Sequence, residues 1–329
     1  MKKKILNALK FLIFLGVGAF LFWFVYKDQD IKELLKELKT VNYSWLVLSL
    51  FLGILSHISR AMRWRMLGQS LGYKPSVLTA FLAIMVGYLA NLAFPRMGEV
   101  SRAAIIKRYE KIPFSESFGT VVIERIIDLI SLILLAIIVV ITQFKVVGEF
   151  INNNPSVGDK FQNFSLSGNL IIILLSTIIL LIILFYIFKN KIKNTFVYIK
   201  FKKLLKEFMD GIKSIKRIKN LPIFLAHTVF IWFMYFLMLY VTYYAFDFTS
   251  NLTLITALTV FVFGSFGMVA PVQGGIGAWH FMVIGVLIIY GISETNASAF
   301  ALIVHGVQTL MLVVVGFLSL IALPIINKK

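Results

Sequence analysis

Residues 91–102 read Asn91-Leu92-Ala93-Phe94-Pro95-Arg96-Met97-Gly98-Glu99-Val100-Ser101-Arg102. An apolar run from Leu78 to Ala93 leads into this stretch. The chain then breaks at Pro95 and Gly98 and sets Arg96, Glu99 and Arg102 close together. Proline removes a backbone donor and clashes with the preceding turn. In lipid, each unpaired backbone group costs several kcal/mol, so a broken helix there must be sheltered by protein or water. Charge inside a membrane segment marks a functional hypothesis. The plain alternative is a cytoplasmic loop between two spans.

The surrounding chain sets the solvent. It has 329 residues, 59% hydrophobic, with mean hydropathy +0.89. That composition belongs to an integral membrane protein with most of its mass in lipid. The net charge is +18. Clustered at segment ends, it fixes orientation and attracts anionic headgroups. Nucleic acid is set aside as a partner. There are no cysteines, which excludes disulfides, thiolate metal sites and cysteine nucleophiles. His57, His227, His280 and His305 show no metal-ligand spacing, so neither a metal nor another cofactor is expected. No long soluble catalytic stretch occurs.

Working outward, Lys2-Lys3-Lys4 precede an apolar run from Ile5 to Tyr26 long enough to span the bilayer. No small-residue cleavage site follows, so it reads as an uncleaved anchor with a cytoplasmic N-terminus. Asp30 to Leu38 reads as a short interfacial helix, or simply a solvated connector. Tyr43 to Leu67 is a span whose last turns carry His57, Arg60, Arg63 and Arg65. Arg60 and Arg63 share a face with His57. Tyr43, Trp45 and Trp64 fit interface anchoring. After Gly98 the chain is too charged to face lipid, so a hairpin that enters from the cytoplasm and returns is favoured. Phe114 to Gln143 is a further span, opening with Glu116, Glu124, Arg125 and Asp128. Glu124 and Asp128 lie one turn apart, and Arg125 can pair with Asp128. These charges line a site, or form a salt-bridged patch locking the span to the hairpin.

Residues 144–168 read as an outside loop and Asn169 to Phe188 as another span. Lys189 to Asn220 carries a net charge of +9 and spaced apolar residues, as an amphipathic helix on the anionic leaflet would. Leu221 to Phe246 spans again. Leu254 to Ala270 ends in Pro271-Val272-Gln273-Gly274-Gly275-Ile276-Gly277-Ala278-Trp279-His280, and Phe281 to Tyr290 returns. Ala297 to Leu323 is the last span, with Lys328-Lys329 placing the C-terminus inside.

Two units therefore look alike, roughly 43–143 and 221–323, linked by 144–220. Each has a full span, a segment broken at proline and glycine, a short helix and another span. Charge bias starts them on opposite sides, which makes them inverted repeats, as in transporters with mid-membrane sites. The fold class expected is thus an all-α polytopic membrane protein whose inverted repeats each hold a re-entrant broken-helix hairpin. Residues 1–40 form the anchor and 41–325 the main domain. Counting every segment as a crossing leaves both ends on the same side, so the termini do not decide between hairpins and full crossings. The return helices begin near Gly98 and Gly274 to Gly277. Their N-termini bring partial positive charge and free amides. Arg60, Arg96 and Arg102 add guanidinium groups suited to phosphate. Glu99, Glu124 and Asp128 balance the arginines in an empty site or carry a coupling proton. Gly264 and Gly267 read as close helix packing.

Arg60-Ala61-Met62-Arg63-Trp64, Asn91…Pro95-Arg96-Met97-Gly98-Glu99…Arg102-Ala103, Glu124-Arg125…Asp128 and Pro271…Gly274-Gly275-Ile276-Gly277 resemble the lysylphosphatidylglycerol synthase transmembrane-region family, a flippase-like domain of the UPF0104 type. The resemblance covers about 40–325. It implies translocation of an anionic phospholipid or a lipid-linked precursor across a prokaryotic plasma membrane, by a transporter rather than an enzyme. The substrate-binding residues expected are Arg60, Arg63, Asn91, Pro95, Arg96, Gly98, Glu99, Arg102, Gly274, Gly275, Gly277 and His280. Glu124, Arg125 and Asp128 would be coupling or ion-pair residues, and no catalytic residue is expected. Gln273 and His280 stand where the family often has proline and an acidic residue. The sequence holds no synthase catalytic domain, so aminoacylation is not carried over. Membrane lipids are the partners; homo-oligomerisation is allowed by the sequence, not read from it. The rival reading is a membrane enzyme or accessory subunit acting on polyprenyl-phosphate-linked sugars.

Overall fold

The computed structural model describes residues 20, 22–23, 39–154, 202, 206–210 and 213–327. Most of the expected anchor, the interfacial helix, the span at 169–188 and most of the basic segment lie outside them. Among the described residues every regular element is helical. The α-helices are α1 (Tyr43–Ser70), α2 (Val77–Ala93), α3 (Met97–Glu110), α4 (Phe114–Thr142), α5 (Phe144–Asn153), α6 (Leu221–Tyr240), α7 (Leu254–Val269), α8 (Ala278–Ile289) and α9 (Glu294–Ile326). A 3-10 turn, Val241–Ala245, extends α6.

Local chemistry sets the boundaries. Asn42, Ser76, Asn220, Thr253 and Ser293 each accept a backbone N–H from the first turn of the helix they precede. Pro95 and Gly98 flank the α2–α3 break, where Arg96 sits in the left-handed region at φ 63°. Pro271 and positive-φ Gly274, Gly275 and Gly277 make the α7–α8 break.

Four helical stretches are long and apolar enough to cross a membrane: α1, α4, α6 with its extension, and α9. Helices α2, α3, α7 and α8 have 17, 14, 16 and 12 residues. Each is shorter than the ~20 residues a crossing needs. The order long, short, short, long thus occurs twice. Within each unit the short helices pack on each other, α2 on α3 and α7 on α8. The long α1 and α6 run antiparallel: Asn42 N–H bonds Ala245 O at one end, and Arg63 Nη1 reaches Thr228 Oγ1 nearer the other. Helix α9 packs on α2 through Gly316, which faces Met85 and Leu89.

Glycines close both hairpins. A Cβ on Gly87 would meet Arg102 Cγ at 2.8 Å, and one on Gly267 would meet Trp279 Cα at 2.7 Å. Gly264 likewise abuts the Trp279 ring. Gly264 and Gly267 are packing glycines, as read from the sequence. The two breaks also touch: Leu92 of α2 lies against Gly274. The outward faces of α4 and α9 remain apolar and exposed, for instance Leu129, Ile133, Ile137, Leu310, Phe317 and Ile321. Such stripes suit a lipid surround.

One segment departs from expectation. Residues 144–153, read as loop, form α5. Val147, Phe150 and Ile151 fall on one helical face, and Phe150 is buried against Gly285, Phe263 and Phe281. The short apolar spacing sits between polar flanks, which hid it.

Candidate functional site

The C-terminal half of α1 carries Arg60 and Arg63 inward, one turn apart. The first half of α4 carries Glu124 and Asp128, four positions apart and so also about one turn from each other. Facing one another, they form a lattice. Arg60 Nη1 donates to Glu124 Oε1 at 2.6 Å and to Asp128 Oδ2 at 2.7 Å. Arg63 Nη2 donates to Asp128 Oδ1 at 2.8 Å and to Glu124 Oε1 at 3.3 Å. From α3, Arg102 Nη2 donates to Glu124 Oε2 at 2.6 Å. The Arg63 and Glu124 side chains are fully buried. One carboxylate, Glu124, therefore ties three helices together.

Trp64 completes the inner wall. Its Nε1 donates to Thr120 Oγ1 at 2.9 Å, and its ring lies 4.3 Å from the Arg102 guanidinium carbon. The tryptophan is buried, not an interface anchor as its sequence position implied. It sits one turn from Arg60 on the buried side of α1, and cation–π contact compensates a desolvated guanidinium. At the rim, Arg125 Nε lies 3.3 Å from Glu99 Oε1, with side chains 38% and 21% exposed. Arg125 also lies 3.6 Å from Asp128. Four guanidinium groups thus meet three carboxylates, a net charge of +1.

Beside the lattice is a neutral polar strip that sequence reasoning did not assemble. The Tyr235 hydroxyl is 3.4 Å from His57 Nδ1 and 3.4 Å from the Tyr88 hydroxyl, and Arg60 approaches the Tyr235 ring. Tyr88 and Tyr235 sit in apolar runs on α2 and α6, where a tyrosine reads as core. Only the crossing of three helices reveals them as neighbours of the arginines.

The other expected residues are placed as follows. Asn91 Oδ1 accepts the Gly98 N–H at 2.6 Å, and so stitches the α2–α3 break. Pro95 is half-buried at that break. Arg96 is exposed and makes no ion pair with any described residue, so it stands apart from Arg60 and Arg102. Gly274, Gly275 and Gly277 form the second break. There the Gly277 N–H donates to His280 Nδ1 at 3.2 Å, and His305 Nε2 lies 2.9 Å from Gly274 O. The His280 and His305 rings are 4.7 Å apart. Gln273 is 3% exposed, and neither polar atom of its side chain has a hydrogen-bond partner. Among the described residues no three His, Asp or Glu groups converge as metal ligands. Glu99, Glu124 and Asp128 are each engaged by arginine.

These features define a polytopic helical membrane protein with a largely buried, cation-rich ion-pair lattice among α1, α3 and α4. Residues 7–316 match the family described as the lysylphosphatidylglycerol synthase TM region, and the chain belongs to that family. It is similar to UPF0104 membrane protein MJ1595 of Methanocaldococcus jannaschii, 30% identical over 150 residues, or 45% of this chain and 42% of that protein. It is also similar to glycosyltransferase AglD of Haloferax volcanii, 27% identical over 113 residues, covering 34% of this chain and 18% of that protein. The chain thus spans less than half the length of the curated relatives it matches. No solved structure matches it.

Proposed function

We propose that the protein moves a lipid with an anionic headgroup, a phospholipid or lipid-linked precursor, across a prokaryotic plasma membrane. The observation that carries this reading is the buried guanidinium lattice, built between α1 and α4 and joined through Arg102 to the hairpin whose tip touches the second hairpin. Charge at membrane depth is expensive and is kept where it serves a pathway. Arginine suits phosphate oxygens. The doubled long-short-short-long order and the antiparallel α1–α6 pair support inverted repeats at 43–143 and 221–323, with the hairpins re-entrant and the headgroup passing between them. In this reading 41–325 is the transport unit, both termini are cytoplasmic, and acyl chains stay in lipid.

The test is translocation of a headgroup-labelled phospholipid in proteoliposomes, read with an impermeant quencher. Arg60→Gln and Arg102→Gln should each slow it about tenfold or more, as loss of a charge-assisted contact predicts. Wild-type rates from well-folded variants would sink the reading. The similarity to a glycosyltransferase favours a second reading, an enzyme or accessory subunit working on polyprenyl-phosphate-linked sugars. Turnover of such a sugar by the purified protein would decide for it.

A further inference from the structure

The lattice does more than attract negative charge; its charge count sets how much negative charge it tolerates. Its four arginines and three carboxylates leave one positive charge uncompensated in a region whose inner members are almost wholly buried. Arg102 keeps part of its fork open. Its Nη2 is on Glu124 and its face on Trp64, while Nε and Nη1 are buried without a hydrogen-bond partner. Glu99 Oε2 is also unpartnered, at the half-exposed rim. Buried donors left unmade are costly, so an acceptor that reaches them is strongly favoured.

We propose that this site selects a phosphodiester monoanion over phosphomonoester dianions and diphosphates, with Arg102 as the anion contact and Glu99 as the residue that sets the limit. The proposal rests on the transport reading above. A phosphodiester brings one negative charge and neutralises the lattice. A phosphomonoester at pH 8, above its second pKa of about 6, brings nearly two. A lipid diphosphate brings more still. In a low-dielectric site each surplus charge is penalised far more than in water. Glu99 contributes one of the three carboxylates from the least buried position, so its charge can be removed with the least structural damage.

The experiment is native mass spectrometry of the protein in phosphatidylcholine nanodiscs at pH 8. Phosphatidylglycerol, phosphatidic acid and a polyprenyl diphosphate are offered in competition. Wild type should retain phosphatidylglycerol over phosphatidic acid by roughly tenfold. Glu99→Gln, which raises the lattice to +2, should shift that ratio toward phosphatidic acid by a similar factor. Arg102→Gln should lose phosphatidylglycerol. A wild-type preference for phosphatidic acid or the diphosphate, or a ratio unmoved by Glu99→Gln, overturns the proposal while leaving anionic-lipid transport standing. Retention of none of the three lipids above phosphatidylcholine overturns both.

Discussion

The α2–α3 hairpin and the α7–α8 hairpin share a plan and differ in chemistry. Each is two short helices closed by glycine contacts and broken near a proline. The first carries Arg96, Glu99, Arg102, Lys107, Arg108 and Glu110; from Phe248 to Ser293 the second carries no charged residue at all. The first is joined to its neighbours by ion pairs, through Arg102 and Glu99 to α4. The second is joined by neutral contacts, through His305 on Gly274 O and Leu92 on Gly274. The same backbone device thus serves one half as an electrostatic clamp and the other as an apolar wedge with an idle amide, Gln273. In the transport reading the charged half holds the headgroup phosphate, and the neutral half can slide past it without breaking ion pairs.

The contrast can be broken most forcefully at Glu124. Glu124→Gln leaves Arg60, Arg63 and Arg102 without their shared counter-charge. It should cost about 3–5 kcal/mol, the usual penalty for orphaning a buried charge. Thermal unfolding in detergent, followed by tryptophan fluorescence, measures it; a loss under about 1 kcal/mol would mean the lattice is wet and weak. The matching insult to the second hairpin is Gly267→Ala, whose Cβ meets the Trp279 backbone. Overpacking predicts a loss of about 1–3 kcal/mol in the same assay. A cost equal to that of Glu124→Gln would erase the distinction drawn between the two halves.

Gln273→Met sharpens the comparison in the opposite direction. Removing an unpartnered buried amide should be neutral or stabilise by about 1 kcal/mol. Clear destabilisation would show that the amide has a partner in the membrane. A comparably small effect is expected at Arg96→Gly, which relieves an L-residue held at positive φ and should stabilise by about 1 kcal/mol at most. No gain would mean the Arg96 side chain contributes more than its backbone costs.

Much of the fold was legible because lipid punishes irregularity. The long apolar runs at 43–67, 114–143, 221–246 and 297–323 became helices within a few residues of those limits, and both Pro-Gly breaks fell where expected. Helix α5 was missed because only two of its apolar residues, Val147 and Phe150, find the core. At the site, the pairing of Arg125 with Asp128 followed from spacing alone. The convergence of Arg60, Arg63 and Arg102 on Glu124 did not. Those residues lie up to 64 positions apart, and nothing local states which face of α1 meets which face of α4. Trp64 was misread for the same reason: a tryptophan near a span end has two ordinary homes, and only packing chooses.

The amino-acid order by itself determined the solvent, the helical class, the two breaks and the presence of charge that lipid cannot accept. These are local matters, set by hydropathy, by proline's missing donor and by the spacing of side chains along one helix. The tertiary structure alone decided that four arginines and three carboxylates share one lattice, that Arg96 stays outside it, and that the two tips meet at Leu92 and Gly274. Those outcomes depend on how helices far apart in sequence rotate and cross, and desolvation favours the crossing in which each buried carboxylate meets its arginines.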